Sequence, residues 1–242
     1  MRISMNRWKN FLAATIAIMA VAVAAPRAQN LVALPKPTVL PPVSVYSALS
    51  AQWWQWIFGI PADINPSLDI TGINCAVHQS GPVWFLAGTF TGGPVVRNCT
   101  VPADKALFFP LVNTFDLFDP TETGTPLDDV RALVAPLING VVTLQATLDS
   151  ADVKDLFGYR VASRGFTYVL PENNLATALF GAVFPDGYPA KKYGPTTSDG
   201  YWLLVAPLSL GKHTIHFGGT VDLPNVHFTT DVTYNLTVVR AR

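Results

Sequence analysis

The chain has few charged residues: Asp, Glu, Lys and Arg make up 13% of its 242 residues, and the formal net charge is zero. About a quarter would be usual for a soluble domain. The sequence therefore has no basic field that could bind a nucleic-acid backbone. Long charged runs are also missing, while 50% of the residues are hydrophobic, which excludes a disordered chain.

Apolar runs of membrane-spanning length are missing as well. The run at residues 11–25 has about 15 residues, whereas about 20 are needed to cross a bilayer. It follows a basic stretch without acids and leads into small residues, which is the three-part pattern of a secretory signal. We therefore predict a signal peptide over residues 1–28, cut after Ala24 or Ala28. The mature chain is then secreted or periplasmic and has no integral membrane segment.

Cysteine is scarce, with Cys75 and Cys99 as the two thiols. Cys75, His78 and Cys99 could supply part of a zinc site, but a structural site needs four ligands and usually two paired clusters. A disulfide between Cys75 and Cys99 is the preferred prediction for an exported chain. The sequence contains no G-x-S-x-G nucleophile motif, and no cofactor is predicted.

The first part of the mature chain combines an extended arm with a helix. Residues 29–43 are rich in proline, which removes hydrogen-bond donors and fixes φ, so we predict an extended arm. Residues 44–58 carry apolar side chains at helical spacing and are followed by Gly59 and Pro61, so they predict a helix.

Three tryptophans lie in this predicted helix. Trp53 and Trp56 fall on its apolar stripe, so we expect them in the core. Trp54 falls off the stripe, and an indole ring can stack on a sugar. Trp54 is therefore the candidate for binding a carbohydrate ligand.

The remainder of the chain reads as short β-strands. Gly, Pro, Asn and Asp separate runs of alternating character, as in antiparallel sandwiches, and residues 83–90 are apolar on both faces, as in a buried strand. We predict a mainly β fold: an antiparallel β-sandwich, immunoglobulin-like or jelly-roll-like, with one N-terminal Trp-rich helix. The domain spans residues 44–242, with a sub-domain boundary possible near residue 140.

The last two predicted strands can be placed in register. With His216 opposite Thr229, one face is apolar and the other is polar, as a sheet with one solvated side requires. The polar face then holds His216, His227 and Asp231, which could together bind zinc or another divalent ion. A solvated polar face is the simpler interpretation, so no metal site is predicted.

Two long stretches of the sequence carry a family resemblance. They read WWQW…HQSGPVWFLAG…RNC-VP…ALFFPLVN and LSLGKHTIHFGG…VTYNLTV. They resemble a family of exported bacterial proteins that has no assigned activity. The C-terminal half also resembles bacterial immunoglobulin-like modules through LSLGKH at residues 208–213, which implies a fold but no function.

Other polar residues are candidate catalytic groups. His78 precedes the buried strand, and Asp116 and Asp119 follow an apolar strand around residues 106–112. Paired carboxylates could serve glycoside hydrolysis, and a hydrogen-bonded turn is the alternative interpretation of the two aspartates.

Two functions remain open at this point. The first is an exported, non-catalytic protein that binds a carbohydrate or small molecule, or that belongs to the envelope or matrix. The second is a secreted hydrolase that acts on a polysaccharide or an ester through a site built from loops. A concave pocket with two or more titratable groups would favour the hydrolase.

Overall fold

The computed structural model describes residues 42–117, 126–181 and 187–241. The predicted signal peptide, the predicted arm up to residue 41 and Asp119 lie outside these residues. Within them the α-helices are α1 (Pro42–Phe58), α2 (Leu127–Asn139) and α3 (Leu175–Phe180). No helix in the described ranges is long and apolar enough to cross a membrane.

Strands form most of the regular structure, which confirms the mainly β prediction. They are β1 (Val83–Phe85), β2 (Pro94–Pro102), β3 (Ala106–Phe115), β4 (Val141–Leu148), β5 (Ala151–Asp152), β6 (Phe166–Val169), β7 (Lys192–Thr196), β8 (Ser198–Val205), β9 (Gly211–Leu223) and β10 (Val226–Val239). Short 3-10 helices occur at Ala62–Ile64 and Leu156–Tyr159.

The strands form a three-stranded sheet, β1-β3-β8, a five-stranded sheet, β2-β10-β9-β4-β5, and a β6-β7 pair. Most neighbours are antiparallel, as predicted, but β1 with β3 and β2 with β10 are parallel. Parallel neighbours need a long crossover between them, and each of these pairs has at least one other strand between its members in the chain. Both larger sheets contain strands from either side of residue 140.

The three-stranded sheet is the middle layer of the fold. On one face, the Phe108 ring packs 5.9 Å from the Tyr46 ring of α1. On the other face, the Phe109 ring packs 4.5 Å from the Phe217 ring of the five-stranded sheet. Because both faces of β3 are covered, its sequence is a nearly continuous apolar run rather than an alternating one.

Helix α1 begins at Pro42, two residues before the predicted start, and proline is well tolerated in a first helical turn. Trp53 is 2% exposed. Its Nε1 donates to the carbonyl oxygen of Leu86 at 2.9 Å, and its ring lies 5.6 Å from that of Trp202. These contacts fasten the helix to the middle sheet.

The predicted register of the last two strands is wrong by four residues. His216 is opposite Thr233, and Thr229 is opposite Thr220. The strands extend further than predicted, to Leu223 and Val226, and two residues connect them. Because side chains alternate with a period of two, a shift of four leaves every side chain on its predicted face.

The buried Arg97 on β2 joins separate loops. Its guanidinium donates to carbonyl oxygens and to one hydroxyl: Asp69 O (2.6 Å), Ala87 O (2.8 Å), Gly88 O (2.9 Å), Tyr234 Oη (3.0 Å) and Ser67 O (3.3 Å). All of these acceptors are uncharged. Arg97 therefore fixes the segments around residues 67–69 and 87–88 against the five-stranded sheet.

Candidate functional site

A groove of about 670 Å³ lies between the C-terminal half of α1 and the segment 78–85. Its lining combines an apolar floor with a polar rim. The apolar side chains come from Leu49, Trp56, Pro82, Val83 and Phe85, and the polar ones from Gln52, Gln55, His78 and Ser80. Small-molecule sites commonly have this make-up and a volume of about 300–1,000 Å³.

The helical wall of the groove follows from the periodicity of α1. Trp56 is turned inward and buried, while Gln52 and Gln55 are exposed, because residues three apart share a helix face. The Gln55 Nε2 donates to Thr167 O at 2.8 Å, which leaves its carbonyl oxygen available to a ligand.

The opposite wall is held by covalent and hydrogen bonds. Cys75 is joined to Cys99, which confirms the predicted disulfide and uses both thiols of the alternative zinc cluster. Trp56 Nε1 donates to Val77 O at 3.0 Å. The Gln79 side chain bonds Cys75 O at 3.0 Å and pairs with the main chain of Phe85. The wall is therefore preorganised.

His78 occupies an unusual position on this wall. Its backbone φ is +53°, in the left-handed region that costs a non-glycine residue about 1–2 kcal/mol. Its side chain is exposed in the groove lining. Strained residues of this kind concentrate at functional sites, so His78 stays a candidate site residue, as do Asp149, Ser150 and Asp155, which also have positive φ.

The electrostatics of the groove are simple. Among the residues that the structure describes, its lining contains no Asp, Glu, Lys or Arg, and the titratable side chain found there is His78. Lys105 lies behind the loop, where its Nζ donates to Gly81 O at 2.8 Å.

Two tyrosines of the core, outside the groove lining, have raised pKa values. Burial raises the pKa of Tyr46 to about 12, and burial raises the pKa of Tyr234 against the opposing effect of Arg97.

The other predicted site residues lie elsewhere. Asp116 follows β3, and its carbonyl oxygen accepts from Thr196 Oγ1 at 2.9 Å. It is not part of the groove lining. Trp54 is buried, and its ring stacks 4.3 Å from that of Phe115. Its ring is therefore part of the core, although the helical pattern placed it off the apolar stripe.

The polar face of the five-stranded sheet carries two separate histidine–aspartate pairs. His216 Nε2 lies 2.8 Å from Asp231 Oδ1, and His227 Nδ1 lies 3.4 Å from Asp222 Oδ1. His227 is opposite Asp222, six residues along β9 from His216, which is roughly 20 Å at the usual strand rise. Among the described residues, no three His, Cys, Asp or Glu side chains are grouped as metal ligands.

One polar cluster was missed by the sequence reasoning. His213 Nδ1 lies 2.7 Å from Asp149 Oδ2, and His213 Nε2 lies 3.2 Å from Ser209 Oγ. Asp149 is 64 positions away in the sequence. The only available signal was the LSLGKH stretch, which places Ser209 four residues before His213.

Comparisons with known proteins place the chain in no family: no family model, no curated protein and no solved structure matches it.

Proposed function

We propose that this chain is an exported binding protein that holds an uncharged polar ligand, such as a short carbohydrate, in the groove between α1 and the segment 78–85. The observation that carries the proposal is the groove lining, with its apolar floor, its amide and imidazole rim and, among the described residues, its lack of Asp, Glu, Lys and Arg side chains. Such a lining imposes little electrostatic cost on a neutral ligand, whereas it would leave a charged ligand without a carboxylate, ammonium or guanidinium partner.

The side chains of the groove support binding rather than catalysis. General acid–base hydrolysis of a glycoside needs two carboxyl groups on opposite sides of the bond, and no Asp or Glu is found among the described residues that line the groove. His78 could move a proton, but among the same described residues no second titratable side chain lies in the lining to act with it.

Export is part of the same proposal. The N-terminal 28 residues have the pattern of a secretory signal, and the Cys75–Cys99 disulfide is typical of an oxidising compartment. The resemblance to exported bacterial proteins points the same way. We therefore place the mature chain in the periplasm or outside the cell, free or associated with the envelope or matrix.

The test uses His78→Gly with a panel of neutral hexasaccharides derived from cellulose, chitin and starch, measured by isothermal titration calorimetry. Glycine relieves the strain at φ +53°, so the free energy of unfolding is expected to stay the same or rise by up to about 1 kcal/mol. Binding is expected to weaken at least tenfold, because the imidazole is lost from the rim. Gln52→Ala, on the facing wall, should weaken the same interaction.

Ser150→Gly is the matched control. Ser150 also has a positive φ, +68°, but it lies outside the groove, so its replacement should relieve strain and leave binding unchanged. The proposal fails if none of the neutral saccharides binds, or if a saccharide binds equally well to the wild type, His78→Gly and Gln52→Ala.

A further inference from the structure

The Asp149–His213–Ser209 cluster has the connectivity of a nucleophilic relay. The base His213 lies between an orienting carboxylate at 2.7 Å and a serine hydroxyl at 3.2 Å, and such relays are recognised by geometry rather than by sequence order. We propose that Ser209 is the nucleophile of an acyl-transfer site, separate from the groove, that acts on short-chain esters.

Asp149 is held firmly in the orientation that the relay requires. Its Oδ1 accepts from Thr214 N at 2.9 Å, and its main-chain N–H donates to Thr214 O at 2.8 Å. Asp149 and Ser150 both have positive φ, +48° and +68°, in the turn after β4, where Asn-Gly would be the usual choice. The strained turn thus presents a carboxylate to His213, which makes Asp149 the positioning residue.

His213 can move a proton between Ser209 and a leaving group. Its side chain is 9% exposed, so the ring has little freedom to turn away. In the tautomer that the relay requires, Nδ1–H donates to Asp149 and the unprotonated Nε2 accepts from the Ser209 hydroxyl. Nε2 also lies 3.0 Å from the Ser209 carbonyl oxygen, which accepts a hydrogen bond from the imidazolium that forms when the proton arrives.

The surroundings of Ser209 indicate the class of substrate. Ser209 is half-buried in the loop before β9, and its neighbour Leu210 is 53% exposed. An exposed apolar side chain beside the hydroxyl favours a short acyl chain presented at the surface. An ester suits such an open site better than an amide does, because an alcohol leaves with less stabilisation than an amine requires.

The reaction balances with water as the second reactant. The Ser209 oxygen bonds to the acyl carbon while its proton passes to His213 Nε2. The carbon–oxygen bond to the leaving alcohol breaks, and that alcohol takes the proton from Nε2. Water then repeats the sequence on the acyl-serine, releasing a carboxylic acid and restoring the Ser209 hydroxyl.

A fluorophosphonate probe tests the nucleophile on the folded mature protein, because it phosphonylates activated serines and leaves a stable adduct. Trypsin should release the adduct in the peptide of residues 193–212, which contains Ser198 and Ser209, and fragmentation should locate it on Ser209. Asp149→Asn and His213→Gln should slow labelling at least about 100-fold. The pH profile of the labelling rate should differ in shape between the wild type and His213→Gln, because the variant lacks the proposed base.

Ser47→Ala, on α1, is the control and should label at the wild-type rate. Unfolding midpoints measured alongside the rates show which variants are folded. One folded relay variant, either Asp149→Asn or His213→Gln, is sufficient for the test. The proposal is overturned if the folded wild type gives no adduct on Ser209, or if a folded relay variant labels as fast as the wild type. Saccharide binding in the groove does not depend on either outcome.

Discussion

Replacing the buried Arg97 with methionine is the sharpest test of how the loops are fastened to the sheet. Arg97 is 1% exposed, and its N–H groups satisfy four carbonyl oxygens and the Tyr234 hydroxyl. Methionine is unbranched and flexible enough to occupy much of the same space, so the change removes hydrogen bonds while limiting the cavity that alanine would leave.

The size of the effect follows from the acceptors that lose their donor. A buried polar group left without a partner costs about 1–3 kcal/mol. Removing the guanidinium also removes its desolvation cost, which offsets part of that loss, and water can reach some of the carbonyls. We expect a net loss of about 3–5 kcal/mol, comparable with breaking a buried charged network. That is a large share of the about 5–15 kcal/mol of a typical domain.

Urea titration of the mature protein measures the change as a shift in midpoint at constant slope. Arg131→Met is the control, because the Arg131 side chain is 45% exposed and pairs with Asp128 on the surface of α2; such pairs contribute about 0–1 kcal/mol. A loss below about 1 kcal/mol for Arg97→Met, with an unchanged slope, would refute the reasoning.

Other predictions concern the core, the disulfide and acid stability. Trp54→Ala should cost about 3–5 kcal/mol in urea titration, because Trp54 is 3% exposed; a cost near zero would contradict its place in the core. Reducing the Cys75–Cys99 bond, 24 residues apart, should cost roughly 3 kcal/mol, and an unfolding temperature unchanged by reductant would argue against this. Burial opposes the ionisation of Asp69, but hydrogen bonds from Asn74 and Thr71 outweigh it and lower its pKa from 3.8. A lowered carboxyl pKa stabilises the fold above the unfolded value and loses that effect as pH falls through the folded value. Asp69→Asn should therefore be less stable than wild type at pH 7, and the difference should shrink by pH 2; a difference that does not change with pH would contradict this.

Local patterns were sufficient to predict helix α1 and the mainly β character of the residues that follow it. The apolar spacing in residues 44–58 gave α1 to within two residues, and the apolar run at residues 106–112 was recognised as a strand, which is β3. The run at residues 83–90, predicted as one buried strand, is a strand only at Val83–Phe85 and lies at the edge of its sheet. The faces of β9 and β10 were also predictable, because alternation depends on parity alone.

The pairing of those strands was not predictable in the same way. Register depends on where the turn falls, and β9 continues to Leu223 before the chain reverses. The parallel pairing of β2 with β10 was even harder to predict from the sequence. The two strands are separated by most of the domain and are brought together by packing of the whole sheet.

The candidate sites also contain some residues that could be identified from the sequence and others that could not. His78 could be identified from its position before a buried strand, and the Cys75–Cys99 bond from the number of cysteines in an exported chain. Gln52 and Gln55 could not be assigned to the groove, because an exposed glutamine on a helix has no distinguishing pattern until a second wall faces it.

Composition, periodicity and residue parity determine which face of a segment is apolar and which local conformation the segment favours, because those properties depend on neighbours a few positions away. Tertiary packing alone decided that Trp54 is covered by Phe115 and that Asp149 meets His213 across 64 positions. Contacts of that kind arise from how sheets and loops are stacked, and the energies that stack them are summed over the whole core rather than encoded in any one segment.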